Sequence, residues 1–337
     1  MTDGTGDRTA GDRAMLERIE AAAEFVRQVI PPTPHYRWPL IEDRAGCEVW
    51  IKHDNHGPAA AGTAARGAVV YLSRLMAARP GLEAVVTAGV GNHGRAIAWA
   101  ARLGGLKAVM VVPEDGQDDP WPSWVEVIEA GEDVHEAFAE ACRIGIERDL
   151  PVVPTFHPWL VQGAAGATLE LLRAEPALET LYVPVGTAVA IASAIAVRDA
   201  LGAATRIVGV VPEGAPAFAD SFWAGRVMTT PTARSVARGL ICRVPDRTAV
   251  DIIIGGADRL VTVSDAAILE AVALCLSGAK TVADGAGAAP LAALLTEGPD
   301  KAGGRVGLLV TGGNLNSGLA AEAVQILTGA GSPGDPS

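Results

Sequence analysis

The stretch Val85-Val86-Thr87-Ala88-Gly89-Val90-Gly91-Asn92-His93-Gly94-Arg95-Ala96-Ile97-Ala98-Trp99-Ala100 decides how the rest of the chain is read. An apolar run ends in a glycine-rich turn and a helical pattern opens at once, which is the order of a strand, a turn and a helix. Gly89, Gly91 and Gly94 match G-x-G-x-x-G, with Glu114 after the next apolar run. Alone, that pattern is the fingerprint of NAD or NADP, with glycines for the tight turn and a helix N-terminus for the pyrophosphate. The same turn suits a smaller organic anion, held by the amides of Asn92, His93 and Gly94. It also suits plain strand–helix geometry.

Working outward, strands and helices alternate on both sides of this turn. Apolar spacing predicts helices over 13–30, 61–79 and 92–103, and strands over 48–52, 84–87 and 108–112. It predicts a helix over 121–130, a brief strand at 133–135 and a helix over 138–148. A second series follows: helix 160–174, strand 180–184, helix 189–201, strand 206–211, helix 216–224, strand 259–263 and helix 265–276. Helix 285–296, strand 305–310 and helix 316–328 close it. The prolines at 34 and 39 predict an extended segment over 33–40. Such alternation means an α/β protein with mostly parallel sheets. Three strand-to-helix turns, at 87–94, 184–190 and 311–314, belong where ligands bind in such folds. The polar ends, residues 1–12 and 329–337, read as flexible tails.

Composition narrows the function. A chain of 337 residues with 49% hydrophobic content holds more than one core and suggests two lobes. A formal charge of −12 argues against nucleic-acid binding. No uninterrupted apolar run reaches membrane-spanning length, and no signal peptide opens the chain, so a cytoplasmic protein with no membrane partner is expected. Four cysteines at distant positions fit reduced thiols rather than a disulfide framework or a zinc site. His53, Asp54 and His56 lie too close together for a helical ligand pair, so no metal is expected.

Several motifs then fall into one order. Thr33-Pro34, the segment Val49 to His56, Arg66-Gly67-Ala68, Gly91-Asn92-His93-Gly94, Thr155 to Trp159, Asp284-Gly285-Ala286-Gly287 and Thr311-Gly312-Gly313-Asn314 follow one another along the chain. Together they resemble the serine/threonine dehydratase branch of the fold-type II (tryptophan synthase β) pyridoxal-phosphate enzymes. The resemblance covers roughly residues 15 to 328. It implies a two-lobe fold, with a large lobe over 13–52 plus 159–328 and a small lobe over 53–158. It further implies a homodimer and a small carboxylated substrate.

The same resemblance tests the cofactor site position by position. Counting back from Arg66-Gly67-Ala68 puts Ala64 at the Schiff-base lysine and Thr63 at the phenylalanine before it. The phosphate loop corresponds to Gly186-Thr187-Ala188-Val189-Ala190, with one glycine kept. Gly89 stands where the family has a serine, and Arg238 where an aspartate precedes Gly239. Thr311 keeps the partner of the ring nitrogen, and Asp284 a family carboxylate. Of the four lysines only Lys52 is near the site, as a relocated amine.

These departures lead to the expectation that covalent pyridoxal phosphate is lost and that no cofactor is used. The resulting reading is a diverged lyase- or cyclase-type enzyme acting on a small carboxylated metabolite. His93, Asp284 and Thr311 are its candidate catalytic residues. Gly91, Asn92, Gly94, Arg238, Gly239 and Asn314 are its candidate substrate-binding residues. A binding-only pseudoenzyme and an NAD(P)-dependent oxidoreductase are the alternatives.

Overall fold

A computed structural model describes residues 9–89, 91–114 and 121–329. The chain opens with α1 (Ala10–Arg27), capped by Thr9, whose hydroxyl accepts from the Asp12 amide while the Asp12 carboxylate accepts from the Thr9 amide. Strand β1 (His35–Arg37), helix α2 (Pro39–Ala45) and strand β2 (Glu48–His53) follow. Then come α3 (Gly62–Ala78), β3 (Ala84–Ala88), α4 (Asn92–Leu103), β4 (Lys107–Val112), β5 (Val125–Glu129) and α5 (Val134–Glu147). The second series is α6 (Pro158–Ala174), β6 (Thr180–Pro184), α7 (Val189–Leu201), β7 (Arg206–Pro212), α8 (Ala217–Ala224), α9 (Arg247–Gly256) and β8 (Arg259–Val263). It ends with α10 (Asp265–Ser277), α11 (Gly285–Glu297), α12 (Pro299–Ala302), β9 (Arg305–Val310) and α13 (Ser317–Thr328).

Two sheets result. One has six strands in the order β1-β2-β9-β6-β7-β8, parallel except for β1; the other has three parallel strands in the order β3-β4-β5. The α/β reading with mostly parallel sheets holds. Where the two readings differ, the reasons are local. Residues 121–130 are not a helix: Val125, Val127 and Ile128 are β-branched and Val125–Glu129 pairs with β4. No strand forms at 133–135, because Asp133 caps α5 through the Glu136 amide. Helix α2 occupies part of the segment expected to be extended, since Pro39 sits in its first turn, where proline lacks only an unneeded donor. Helices α9 and α12 have no counterpart in the sequence reading. Residues 10–12 belong to α1 rather than to a tail, while 1–8 and 330–337 lie outside the described residues.

Register fixes where the site forms. Strand β2 runs parallel to β9 with His53 opposite Val310, so the loop after His53 lies beside Thr311. Strand β3 ends at Ala88, and Gly89 follows with φ +146°, a conformation that suits glycine. Helices α3 and α6 meet where a Cβ on Gly67 would press the Leu160 carbonyl and one on Gly163 would strike the Arg66 carbonyl. That close crossing carries Arg66 to Glu170. Among the described residues no helix is long and apolar enough to cross a membrane.

Candidate active site

The C-terminal ends of β3, β6 and β9 converge on a cavity of about 220 Å³. One wall is Ala88, Gly89, Gly91, Asn92 and His93, the turn with which the sequence reading began. A second is Gly186 to Ala190 at the start of α7, and a third runs from Arg238 to Val244. Thr311 lines it after β9, and Thr63 and Ala64 line it from the first turn of α3. A smaller adjoining cavity of about 60 Å³ is lined by Asn92, Arg238, Gly239, Asp284 and Asn314. The sequence-derived residues therefore gather at two joined cavities. Gly94 is the exception: it is buried in α4 against the Gly89 carbonyl and the Met110 sulfur and lines neither.

His93 has a defined environment. The Thr87 hydroxyl donates to the Val153 carbonyl at 2.8 Å, so the 3.3 Å contact between Thr87 Oγ1 and His93 Nε2 is a donation from the ring. That assignment leaves the lone pair on Nδ1. Burial lowers the imidazole pKa to about 4, so His93 is neutral near pH 7. Asp284 caps α11: its Oδ1 accepts from the Gly287 amide at 2.7 Å and its Oδ2 from Asn92 Nδ2 at 2.8 Å. Burial holds its pKa above the ordinary carboxylate range, although these bonds oppose the shift. Asn92 Oδ1 in turn accepts from Asn314 Nδ2 at 2.6 Å, and Asn314 also donates to the carbonyls of Ala59 and Ala60. Asn92, Asp284 and Asn314 thus spend polar atoms on one another and tie α4 to the six-stranded sheet.

Directly under the first turn of α3 lies a buried ion network. Asp54 and Arg66 are fully buried, with Arg66 NH2 2.9 Å from Asp54 Oδ1 and Arg66 NH1 2.9 Å from Glu170 Oε1. Lys52 Nζ donates to Glu170 Oε2 at 2.6 Å and to the Thr33 carbonyl at 2.5 Å. The hydroxyls of Thr33 and Thr63 donate to Asp54 at 2.8 and 2.7 Å. Two cations face two anions. Burial pushes the Asp54 pKa up, but Arg66, Lys52 and the two hydroxyls outweigh it and hold the carboxylate below its usual range. Burial lowers the Lys52 pKa despite Glu170. Lys52 does not line the cavity, and neither do Lys107, Lys280 or Lys301.

Other residues were not found from the sequence. Asp133 and Arg243 line the cavity and form an ion pair at 2.7 Å between the start of α5 and the loop before α9. The Asp133 cap followed by Glu136 was a readable signal; an arginine in an irregular loop gave none. Glu170 sits inside a helix with no motif around it. His157, by contrast, caps α6 by accepting from the Trp159 amide at 3.1 Å and packs edge-on against Tyr71, off the cavity. His53 and His56 stack on each other 5.0 Å apart, and among the described residues no three His, Cys, Asp or Glu side chains cluster as metal ligands would. Trp121 and Trp124 do not open a helix: they lie under the guanidinium groups of Arg95 and Arg102, 5.0 and 4.3 Å from the ring centroids.

Comparison with known proteins places this architecture. The family model described as "Pyridoxal-phosphate dependent enzyme" matches residues 26–312. The chain belongs to that family. It is 28% identical to a putative threonine dehydratase of Sinorhizobium fredii, over 92% of this chain and 95% of the relative. It is 26% identical to L-threonine ammonia-lyase of Thermotoga maritima, over 89% of this chain and 76% of the relative. Among solved structures, a threonine deaminase from T.th. superposes with a TM-score of 0.81 at 27% identity, covering 89% of this chain and 98% of that one. The serine/threonine dehydratase-like, fold-type II reading therefore stands.

Membership overturns the expectation that no cofactor is used: the family and these relatives point to pyridoxal phosphate. The residues at hand fit that group in part. Gly186 is held so close to Gly239 that a Cβ would strike its carbonyl oxygen, and Ala188 adopts φ 63°, so the turn before α7 brings backbone to the cavity as a phosphate cradle requires. Thr311 lies in the cavity wall, with a hydroxyl of the kind a ring nitrogen would need. No lysine does. Of the G-x-G-x-x-G match, Gly89 and Gly91 line the cavity wall, and Glu114, which a dinucleotide would need at its ribose, is exposed and lines neither cavity.

Proposed function

We propose that this family member is a lyase-type enzyme for a small carboxylated substrate, holding pyridoxal phosphate through its phosphate and ring with no bond to a chain lysine. The observation that carries the proposal is the absence of every one of the four lysines from the cavity wall, which Ala64 lines; the motif resemblance supports reading Ala64 as the lysine position. When bound, the group supplies an electron sink for charge developing next to a carboxylate.

The chain's own residues take the other parts. The start of α4, with Gly91 and Asn92, and the Arg238-Gly239 segment receive the substrate carboxylate. His93, neutral with its lone pair on Nδ1, handles protons; Asp284 and Asn314 hold Asn92 in place. Gly94 supports the turn from within. The assembly is a homodimer. A binding-only protein is the second reading, favoured by the mutual saturation of Asn92, Asp284 and Asn314; turnover of any substrate rejects it.

The test uses stoichiometric pyridoxal phosphate followed by borohydride reduction and peptide mass spectrometry. A saturable rise in melting temperature with no pyridoxyl group fixed to Lys52, Lys107, Lys280 or Lys301 is expected. A pyridoxyl group reduced onto Lys52 overturns the proposal.

A further inference from the structure

The cavity has two chemically different ends. The turn before α7, Thr311, and the Asn92 and His93 turn supply polar groups on one side. Beside Asp133, His135 and Arg243 the wall also carries apolar side chains: Val134 and Phe138 lie one helical turn apart on α5, and Ile241 and Val244 come from the loop before α9. All four remain partly exposed, and Val244 is 39% exposed. None offers a hydrogen bond, and none serves the cofactor's phosphate or ring nitrogen. A polar side chain packed against these four would lose water without gaining a partner from them.

The charges beside this end point the same way. Asp133 and Arg243 flank the apolar residues in sequence on both elements and neutralise each other at 2.7 Å. Asp133 accepts from Arg243 Nε, so a second substrate carboxylate reaching Arg243 would lie beside the Asp133 carboxylate. The Asp133 carboxylate there disfavours a second carboxylate through repulsion.

We infer that the substrate is a monocarboxylic amino acid, or its 3-hydroxy derivative, whose side chain is apolar and leucine- to phenylalanine-sized, seated between Val134 and Phe138 of α5 and Ile241 and Val244 of the facing loop. This rests on the carboxylate-site reading above and sets the chain apart from a relative 27% identical named beta-hydroxyaspartate dehydratase, from Paracoccus denitrificans, matched over 89% of this chain and 96% of the relative.

The test is titration calorimetry of the full chain, with and without saturating pyridoxal phosphate, against L-leucine, L-phenylalanine, L-serine, L-threonine and L-threo-3-hydroxyaspartate. Each methylene buried is expected to tighten binding about fourfold, so leucine and phenylalanine should bind at least about tenfold tighter than serine. Val244→Asp, on an exposed stretch of loop, should abolish that preference while leaving the melting temperature and pyridoxal phosphate binding in place. Phe138→Ala should weaken phenylalanine more than serine. Serine, threonine or hydroxyaspartate binding as tightly as leucine overturns the apolar-side-chain inference and leaves the carboxylate site standing. No binding by any of the five, with the cofactor bound, overturns both.

Discussion

The first turn of α3 has two sides, and they have been built by opposite rules. Beneath it, Arg66, Asp54, Lys52 and Glu170 are packed away from solvent, and their charged atoms meet one another or a threonine. Facing the cavity, the same turn presents Ala64, with no polar side-chain atom. Charge is concentrated where it holds the architecture and is absent from Ala64, the residue proposed above to stand at the family's lysine. The contrast explains why a lysine in the right part of the sequence is not a lysine in the site: Lys52 is held in the network by Glu170 and the Thr33 carbonyl.

The largest effect is expected from breaking the buried side. Arg66→Met leaves Asp54 and Glu170 with only Lys52 to balance them, in a place water does not reach. Removing one partner of such a group typically costs about 3–5 kcal/mol. Urea unfolding should show a loss of that size, and a loss under about 1 kcal/mol would mean that the network is not the support described here.

Much of the fold was legible because the parallel strands are buried on both faces and read as unbroken apolar runs. The strands Thr180–Pro184, Arg259–Val263 and Arg305–Val310 and the helix Val189–Leu201 agree with the sequence reading to the residue. Strand Val125–Glu129 was misread because it is the edge of the small sheet, with only Val125 buried, so its pattern is weak and the tryptophans before it mimic a helical face. The site was legible as a set of turns, because a cleft between strand ends must be lined by them. Its ion pair between Asp133 and Arg243 was not, since it joins residues that only the tertiary fold brings together. The step from a missing lysine to a missing cofactor failed for a chemical reason. A phosphate and a ring nitrogen can be held by groups other than a lysine, and the turn before α7 and Thr311 line the wall.

A smaller effect should appear with pH and sharpen the same contrast, because histidines lie near both sides. His53, at the end of β2 beside Lys52, is fully buried, accepts from Trp38 Nε1 at 3.0 Å and has its pKa lowered by burial from 6.5 to about 4. The unfolded chain binds this proton more readily than the folded one. His53 therefore contributes stability that is complete above about pH 6.5 and lost as pH falls through about 4, and His93 in the cavity wall acts in the same direction. Unfolding free energy should rise with pH across that window. His53→Gln, which keeps an acceptor for Trp38, should reduce the slope by about one proton. An unchanged slope would show that His53 is already protonated in the folded protein.

The smallest change in stability should accompany the most informative substitution. Ala64 is half-buried on a helix, and lysine is nearly as good a helix former as alanine. Its long stem can follow the cavity wall while the amine reaches open space. Ala64→Lys should therefore shift stability by no more than about 1 kcal/mol. Its chemical effect should be categorical. With pyridoxal phosphate and borohydride, the variant should acquire a pyridoxyl group at residue 64, while Lys52 remains unlabelled in its network. If residue 64 stays unlabelled although the variant binds the cofactor, then the first turn of α3 does not face the cofactor. The contrast between its two sides would then have to be redrawn around some other wall of the cavity.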